Sequence, residues 1–106
     1  MRVPFPYTDQ ETWQHRPALV VSSGGLGDGG ALLWVVMITS AAHRRWPGDV
    51  PIVGGYQRVG LPIPSVVRSS KIATIEAQRA KTIGKLSPTL WSKVARELAL
   101  NLGVTR

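Results

Sequence analysis

Residues 25–38 read Gly25-Leu26-Gly27-Asp28-Gly29-Gly30-Ala31-Leu32-Leu33-Trp34-Val35-Val36-Met37-Ile38, a glycine-rich run followed by eight unbroken apolar residues. The first six match the GxGxxG spacing of a dinucleotide-binding turn, which cradles a pyrophosphate only where it opens a helix. Here the glycines lead into a run with no polar face, bounded by turn formers. Ala31 to Ile38 therefore predicts a central strand buried on both faces, and the glycines become a loop between two strands. That reading takes the chain out of the doubly wound α/β class.

Outward from this strand the pattern stays β. Val3 to Tyr7 and Ala18 to Ser22 on one side, and Val50 to Val53, Ser65 to Arg68, Ile72 to Ile75 and Lys81 to Leu86 on the other, are short β-prone runs separated by Pro and Gly. Their close spacing predicts a small antiparallel barrel or sandwich. Pro62 and Pro64 flank Ile63 and make that segment an extended connection ending at Ser65. The period changes only at the end. Ser87 is a natural N-cap, Pro88 suits the first helical position and Gly103 stops the helix. Leu90, Trp91, Val94, Leu98 and Leu102 then share one helical face that packs on the sheet, with Trp91 as a core or interface anchor.

A chain of 106 residues, 43% hydrophobic and 18% charged, is one globular domain spanning 1–106. No run approaches the length of a membrane span, and Met1 to Tyr7 has no apolar signal core, so a soluble cytoplasmic protein is expected. The absence of cysteine rules out disulfides and thiolate metal sites and suits a reducing compartment. His15 and His43 are the only histidines and have no acidic neighbours at metal-ligand spacing, so neither metal nor cofactor is expected. Ser22-Ser23, Thr39-Ser40 and Ser69-Ser70 lack a nucleophile-elbow context, which argues against a serine hydrolase.

Charge singles out the middle of the chain. The formal net charge is +7; residues 1–42 contribute −1, residues 43–85 contribute +6 and the remainder +2. A basic middle attracts polyanions, nucleic acid or an acidic protein segment, although a solvated basic face would look the same. Two arginines stand at strand margins: Arg16 opens the run Pro17-Ala18-Leu19-Val20-Val21, and Arg68 closes Ser65-Val66-Val67. A sheet that held both beside one surface would form a phosphate clamp. The loop His43-Arg44-Arg45-Trp46-Pro47-Gly48-Asp49 interleaves cations with an aromatic ring. Arg44 and Arg45 can pair with phosphates while Trp46 stacks on an unpaired base, or Trp46 can plug the loop from beneath. Lys71 adds a further phosphate contact or is an ordinary exposed lysine.

Four blocks, Val3-Pro4-Phe5-Pro6-Tyr7-Thr8-Asp9, His15-Arg16-Pro17-Ala18-Leu19-Val20-Val21-Ser22, Met37-Ile38-Thr39-Ser40 and Gly60-Leu61-Pro62-Ile63-Pro64-Ser65-Val66-Val67-Arg68, resemble successive segments of the PemK/MazF-type toxins, and Ile83-Gly84-Lys85-Leu86-Ser87 before the helix resembles the next. The resemblance runs from about residue 3 to 102 in family order. It implies an SH3-like β-barrel with a C-terminal helix, usually a homodimer, acting as a sequence-selective, metal-independent endoribonuclease. Its implied partners are RNA, a cognate antitoxin with a flexible acidic tail, and operator DNA bound together with that antitoxin. The alternative on the same scaffold is a non-catalytic nucleic-acid- or partner-binding regulator, or a toxin of the gyrase-poisoning type.

The family chemistry explains why arginine matters. The ribose 2′-hydroxyl attacks the adjacent phosphorus in line, leaving a cyclic phosphate and a 5′-hydroxyl, and charge builds on the phosphorane oxygens. Arginine is permanently protonated and offers a planar donor fork that matches two such oxygens. The resemblance gives catalytic roles to Arg16, Arg68 and Thr39 and an RNA contact to Ser40; the residue types themselves add His15, Arg44, Arg45, Trp46, Ser70 and Lys71 as candidate RNA contacts. Thr39 and Ser40 line the family's RNA groove, or merely cap the end of the buried strand. The chain departs from the pattern at Ser70, where some members carry an aspartate for proton transfer. A serine hydroxyl is a poor base at neutral pH, which turns attention to His15 as a titrating substitute, though strand alternation directs it away from Arg16. Many relatives also carry a Gly-Asp pair ahead of the Val3 block.

Overall fold

The computed structural model describes residues 2–6 and 13–103, with side chains from Arg16 onward. The expectations placed on Tyr7 and on the His15 side chain lie outside the described residues. Five strands, β1 (Arg2–Pro6), β2 (Trp13–Val20), β3 (Leu32–Ser40), β4 (Asp49–Ile52) and β5 (Ser65–Glu76), form one sheet of order β1-β2-β3-β5-β4, and α1 (Pro88–Leu102) follows. All four pairings are antiparallel. The mainly β architecture with a C-terminal helix is the one the sequence predicts. The barrel closure is not: among the described residues β1 and β4 end the order unpaired with each other, so the sheet is open.

β3 is central because Val35, Val36, Met37 and Ile38 are buried in succession, two on each face. On one face Val36 and Ile38 join Val50, Ile52, Leu61, Val67 and the helix residue Val94; on the other, Val35 and Met37 pack with Ala18. Burial on both faces is confined to those four residues, since Leu32 and Trp34 lie exposed on the part of β3 that runs past the helix. Ser65–Arg68 and Ile72–Ile75, expected as two strands, form one. Val36 pairs with Ile72 but Met37 pairs with Arg68, so Ser69, Ser70 and Lys71 have no opposite number on β3. This wide bulge lets polar residues interrupt the ladder without ending the strand.

Helix α1 begins and ends as its caps dictate. Ser87 Oγ accepts a hydrogen bond from the Leu90 amide, Pro88 occupies the first turn, and Gly103, at φ 75°, donates its N–H to the carbonyls of Ala99 and Leu100. Only Val94 is fully buried, with Leu90 and Leu98 beside it. Trp91 and Leu102, expected on the packed face, are 39% and 72% exposed, because the stripe the sheet covers follows the 90-94-98 row.

Lys81 to Leu86 is not a strand. Lys81 makes one isolated bridge and residues 82–87 have no regular structure. The segment instead crosses the turn at 59–60 backbone against backbone: a Cβ on Gly60 would meet the Ile83 carbonyl, and one on Gly84 the Val59 carbonyl. Ile83 and Leu86 use that close approach to dock on the helix-side core.

Candidate functional site

The two arginines, expected at strand margins, lie inside β2 and β5 instead, because β2 starts at Trp13 and β5 continues to Glu76. Directly opposed residues share a sheet face, and successive residues alternate faces. Thr39 opposes Val66, and Met37 opposes Arg68, which in turn opposes Asp49 on β4. On the other flank Ala18 opposes Met37 as the last pair of β2 with β3, and Arg16 and Thr39, each two residues further along its strand, line the same cleft. Arg16, Thr39 and Arg68 therefore stand on one face in two adjacent rows, about 7 Å apart along the strands at roughly 3.3 Å per residue.

The outer row borders a cleft of about 250 Å³ whose polar lining is Arg16, Thr39, Ser40 and Ser65, with Leu61, Pro62, Ile63 and Ile83 supplying an apolar wall. Arg16 and Thr39 are both half-buried. The two serines are committed within the chain. Ser40 Oγ accepts from the Ala42 amide at 3.1 Å and Ser65 Oγ donates to the Ile63 carbonyl at 2.9 Å. Ser40 thus caps the turn leaving β3, the simpler of its two sequence readings, while still bordering the cleft.

The inner row is built around Arg68, which is 7% exposed and outside the cleft wall. Its Nε donates to Asp49 Oδ1 at 3.2 Å, and its Nη2 donates to Asp49 Oδ2 at 3.0 Å and to the Arg44 carbonyl at 2.8 Å. The guanidinium also lies 4.1 Å from the centroid of the Trp46 ring. The donor fork expected to meet a phosphate is engaged here by a carboxylate of opposite charge. Burial works against the Asp49 charge, but hydrogen bonds from Arg68 and the Trp46 amide, with the charges of Arg68 and Arg45, outweigh it. The carboxyl is held below its ordinary value of 3.8.

Local sequence explains why Asp49 can reach. Trp46-Pro47-Gly48-Asp49 has Pro at the second and Gly at the third place of a turn, the pattern of type II, and Gly48 has the required positive φ of 85°. The Asp49 amide donates to the Trp46 carbonyl at 3.2 Å, and the Trp46 amide to Asp49 Oδ2 at 2.9 Å. Ser69 Oγ in the bulge donates to the Gly48 carbonyl at 3.0 Å. The turn therefore sits between the carboxylate and the bulge, with Arg44, Arg45 and His43 exposed along its outer side and Ser70 and Lys71 exposed in the bulge. Sequence reading counted Asp49 only as a charge. The Trp-Pro-Gly-Asp signature, an acid closing a type II turn at a strand start, was the signal that could have found it.

Among the described residues no three His, Asp or Glu side chains gather as a metal site, and no helix is long and apolar enough to cross a membrane. No curated protein matches the sequence. Solved structures do match in fold. The chain is similar to the Mycobacterium tuberculosis toxin MazF-mt6, at TM-score 0.70 and 21% identity over 100% of both chains. It is similar to a MazE-MazF structure from Deinococcus radiodurans, at TM-score 0.71 and 21% identity over 98% of this chain and 91% of that one. A structure described as an endoribonuclease from mycobacterial species matches at TM-score 0.68 and 22% identity over 99% and 90%. The family model of PemK-like, MazF-like toxins matches residues 1–102. With nearly its whole length matched by that model, the chain belongs to the PemK-like, MazF-like toxins of type II toxin–antitoxin systems.

Proposed function

We propose that this toxin is a metal-independent, sequence-selective endoribonuclease that cleaves single-stranded RNA by 2′-hydroxyl attack and is restrained by a cognate antitoxin. The observation that supports the reading is that Arg16 and Thr39 both line the polar side of one open cleft. In-line attack gathers negative charge on the non-bridging oxygens of one phosphorus. Arg16 supplies a permanent positive charge there and the Thr39 hydroxyl a further donor, both on strands that cannot swing away. Arg68 contributes less to that charge, since its partner Asp49 leaves the pair nearly neutral. Ser70, Lys71, Arg44 and Arg45 are exposed around the inner row and form the RNA-facing rim. The basic middle of the chain suits an acidic antitoxin segment as well as RNA. A homodimer, a cytoplasmic setting and operator DNA as a joint ligand with the antitoxin belong to the same reading.

A non-catalytic regulator on this scaffold draws support from two features, the occupied Arg68 fork and Ser70 in place of an acid. The two readings part in one experiment, incubation of the protein with a long single-stranded RNA in EDTA and sequencing of product ends. Discrete cuts with 5′-hydroxyl ends that fall by about 10²–10³ in rate for Arg16→Ala support the ribonuclease. Intact RNA with folded wild-type protein establishes the regulator.

A further inference from the structure

We propose that the outer face of Trp46 is a stacking site for one unpaired nucleobase, next to the cleavage cleft, and that Asp49 and Arg68 are the positioning residues that build it. This deepens the ribonuclease reading and rests on it. Arg68 lies against one face of the ring at 4.1 Å, and 36% of the residue is accessible. A hydrophobic plug would have its ring in the apolar core, and Trp46 belongs to neither core cluster. Its backbone is fixed as firmly as its ring, because the amide donates to Asp49 and the carbonyl accepts from it. Asp49 Oδ2 thus holds both the Trp46 amide and the cation behind the indole. A guanidinium on the inner face leaves the outer face for a second flat partner, and a base offers such a face whatever its identity. Arg44 and Arg45, adjacent and exposed, lie where the phosphates of that nucleotide would run. The Arg68 row is about 7 Å along the strands from Thr39, so one strand of RNA can place neighbouring nucleotides on Trp46 and in the cleft.

The test uses the intact protein and a short fluorescent oligonucleotide carrying the cleavage sequence that the wild type selects, with a 2′-deoxy group at the attacked nucleotide so that it binds without being cut. Trp46→Ala should weaken binding by about five- to hundredfold, the range of a single base-aromatic stack, and Trp46→Phe should restore most of it. An abasic nucleotide at one position should cost the wild type the same factor and cost Trp46→Ala nothing further. Asp49→Asn should weaken binding while keeping cleavage per bound complex, a rise in KM with little change in kcat. Unchanged affinity in Trp46→Ala, or losses that add at every abasic position, would overturn the stacking site while leaving the ribonuclease standing. A wild type that neither cuts nor binds RNA removes both.

Discussion

Replacing Asp49 with Asn tests the inner row most directly, because one carboxylate there serves three donors. Asp49 Oδ1 accepts from Arg68 Nε, and Oδ2 accepts from both Arg68 Nη2 and the Trp46 amide. An amide side chain has one oxygen. Placed where Oδ2 stands, it keeps two of these bonds and turns its NH2 toward Arg68 Nε, donor against donor. Placed the other way, it loses two bonds. In either setting the guanidinium loses its counter-charge, and the pair is well shielded, with side-chain exposures of 9% for Arg68 and 0% for Asp49. Breaking a buried pair on one side costs about 3–5 kcal/mol, against about 0.5 kcal/mol for an exposed pair. For a domain of this size each kcal/mol moves Tm by about 4 °C or more, so Asp49→Asn should lower Tm by about 12 °C or more. Calorimetry at neutral pH measures it. The double variant Asp49→Leu/Arg68→Met should recover most of the loss, since no unpaired charge remains. An Asp49→Asn protein melting within about 2 °C of wild type would refute the argument, because the pair would then act as a solvated surface contact.

The same carboxylate fixes the acid limb of the stability curve. Its folded-state pKa lies below the ordinary 3.8, so the unfolded chain binds the proton more readily. The contribution is complete above pH 3.8 and declines as the pH falls through the lowered folded-state value. Wild type should therefore lose more stability than Asp49→Asn between about pH 4 and pH 2.

Two more outcomes follow from the fold and the rim. Gly60→Ala should cost more than about 2 kcal/mol, since the residue has φ 84° and its new methyl would meet the Ile83 carbonyl, whereas Gly29→Ala, at φ 67° with nothing within 4 Å, should cost only the backbone term of about 1–2 kcal/mol; urea unfolding compares them. Changing both Arg44 and Arg45 to Gln should flatten the plot of log Kd against log salt for single-stranded RNA by about 1.4, or roughly 0.7 for each phosphate that is no longer neutralised.

Much of this was legible in the sequence where one physical rule governs the outcome. The apolar run ending at Ile38 could only be a central strand once no helix followed the glycines, and Ser87, Pro88 and Gly103 mark α1 by chemistry that acts within a few residues. Legibility failed where distant backbone decided. Lys81 to Leu86 has strand-like composition, but Gly60 and Gly84 bring its backbone against the 59–60 turn, so its peptide groups pack where a ladder would have been. Ser65–Arg68 and Ile72–Ile75 read as separate strands because the polar triplet between them resembles a turn, whereas it forms a bulge with β3 paired to the residues on either side of it. Arg68 was singled out as the residue closing a strand, whereas it lies inside β5 just before the bulge. Its partner could not be known, since alternation gives the face of a side chain but not what stands opposite until the register is fixed.

That register also explains why the bulge lies where it does. A slip of one residue between β3 and β5 would turn Arg68 from the face it shares with Asp49 to the face packed on α1, burying a charge against Val94 and leaving Asp49 alone. Beyond the bulge, β3 and β5 pair as a long arm from Leu32 to Val36 whose residues include the exposed Leu32, Trp34 and Ile72. Val35 and Val36, both fully buried, anchor the inner end of that arm, while its outer end carries the exposed Leu32 and Trp34. Three unopposed residues separate it from the row Met37–Arg68–Asp49, so a shift in the arm is absorbed in Ser69–Lys71 before it reaches the site. The Ser69 hydroxyl then anchors the near end of the bulge to Gly48, in the turn that carries Trp46. The Arg68–Asp49 pair and the bulge work together: one holds the turn that presents the cations and the indole, and the other keeps the strand beneath that turn in register.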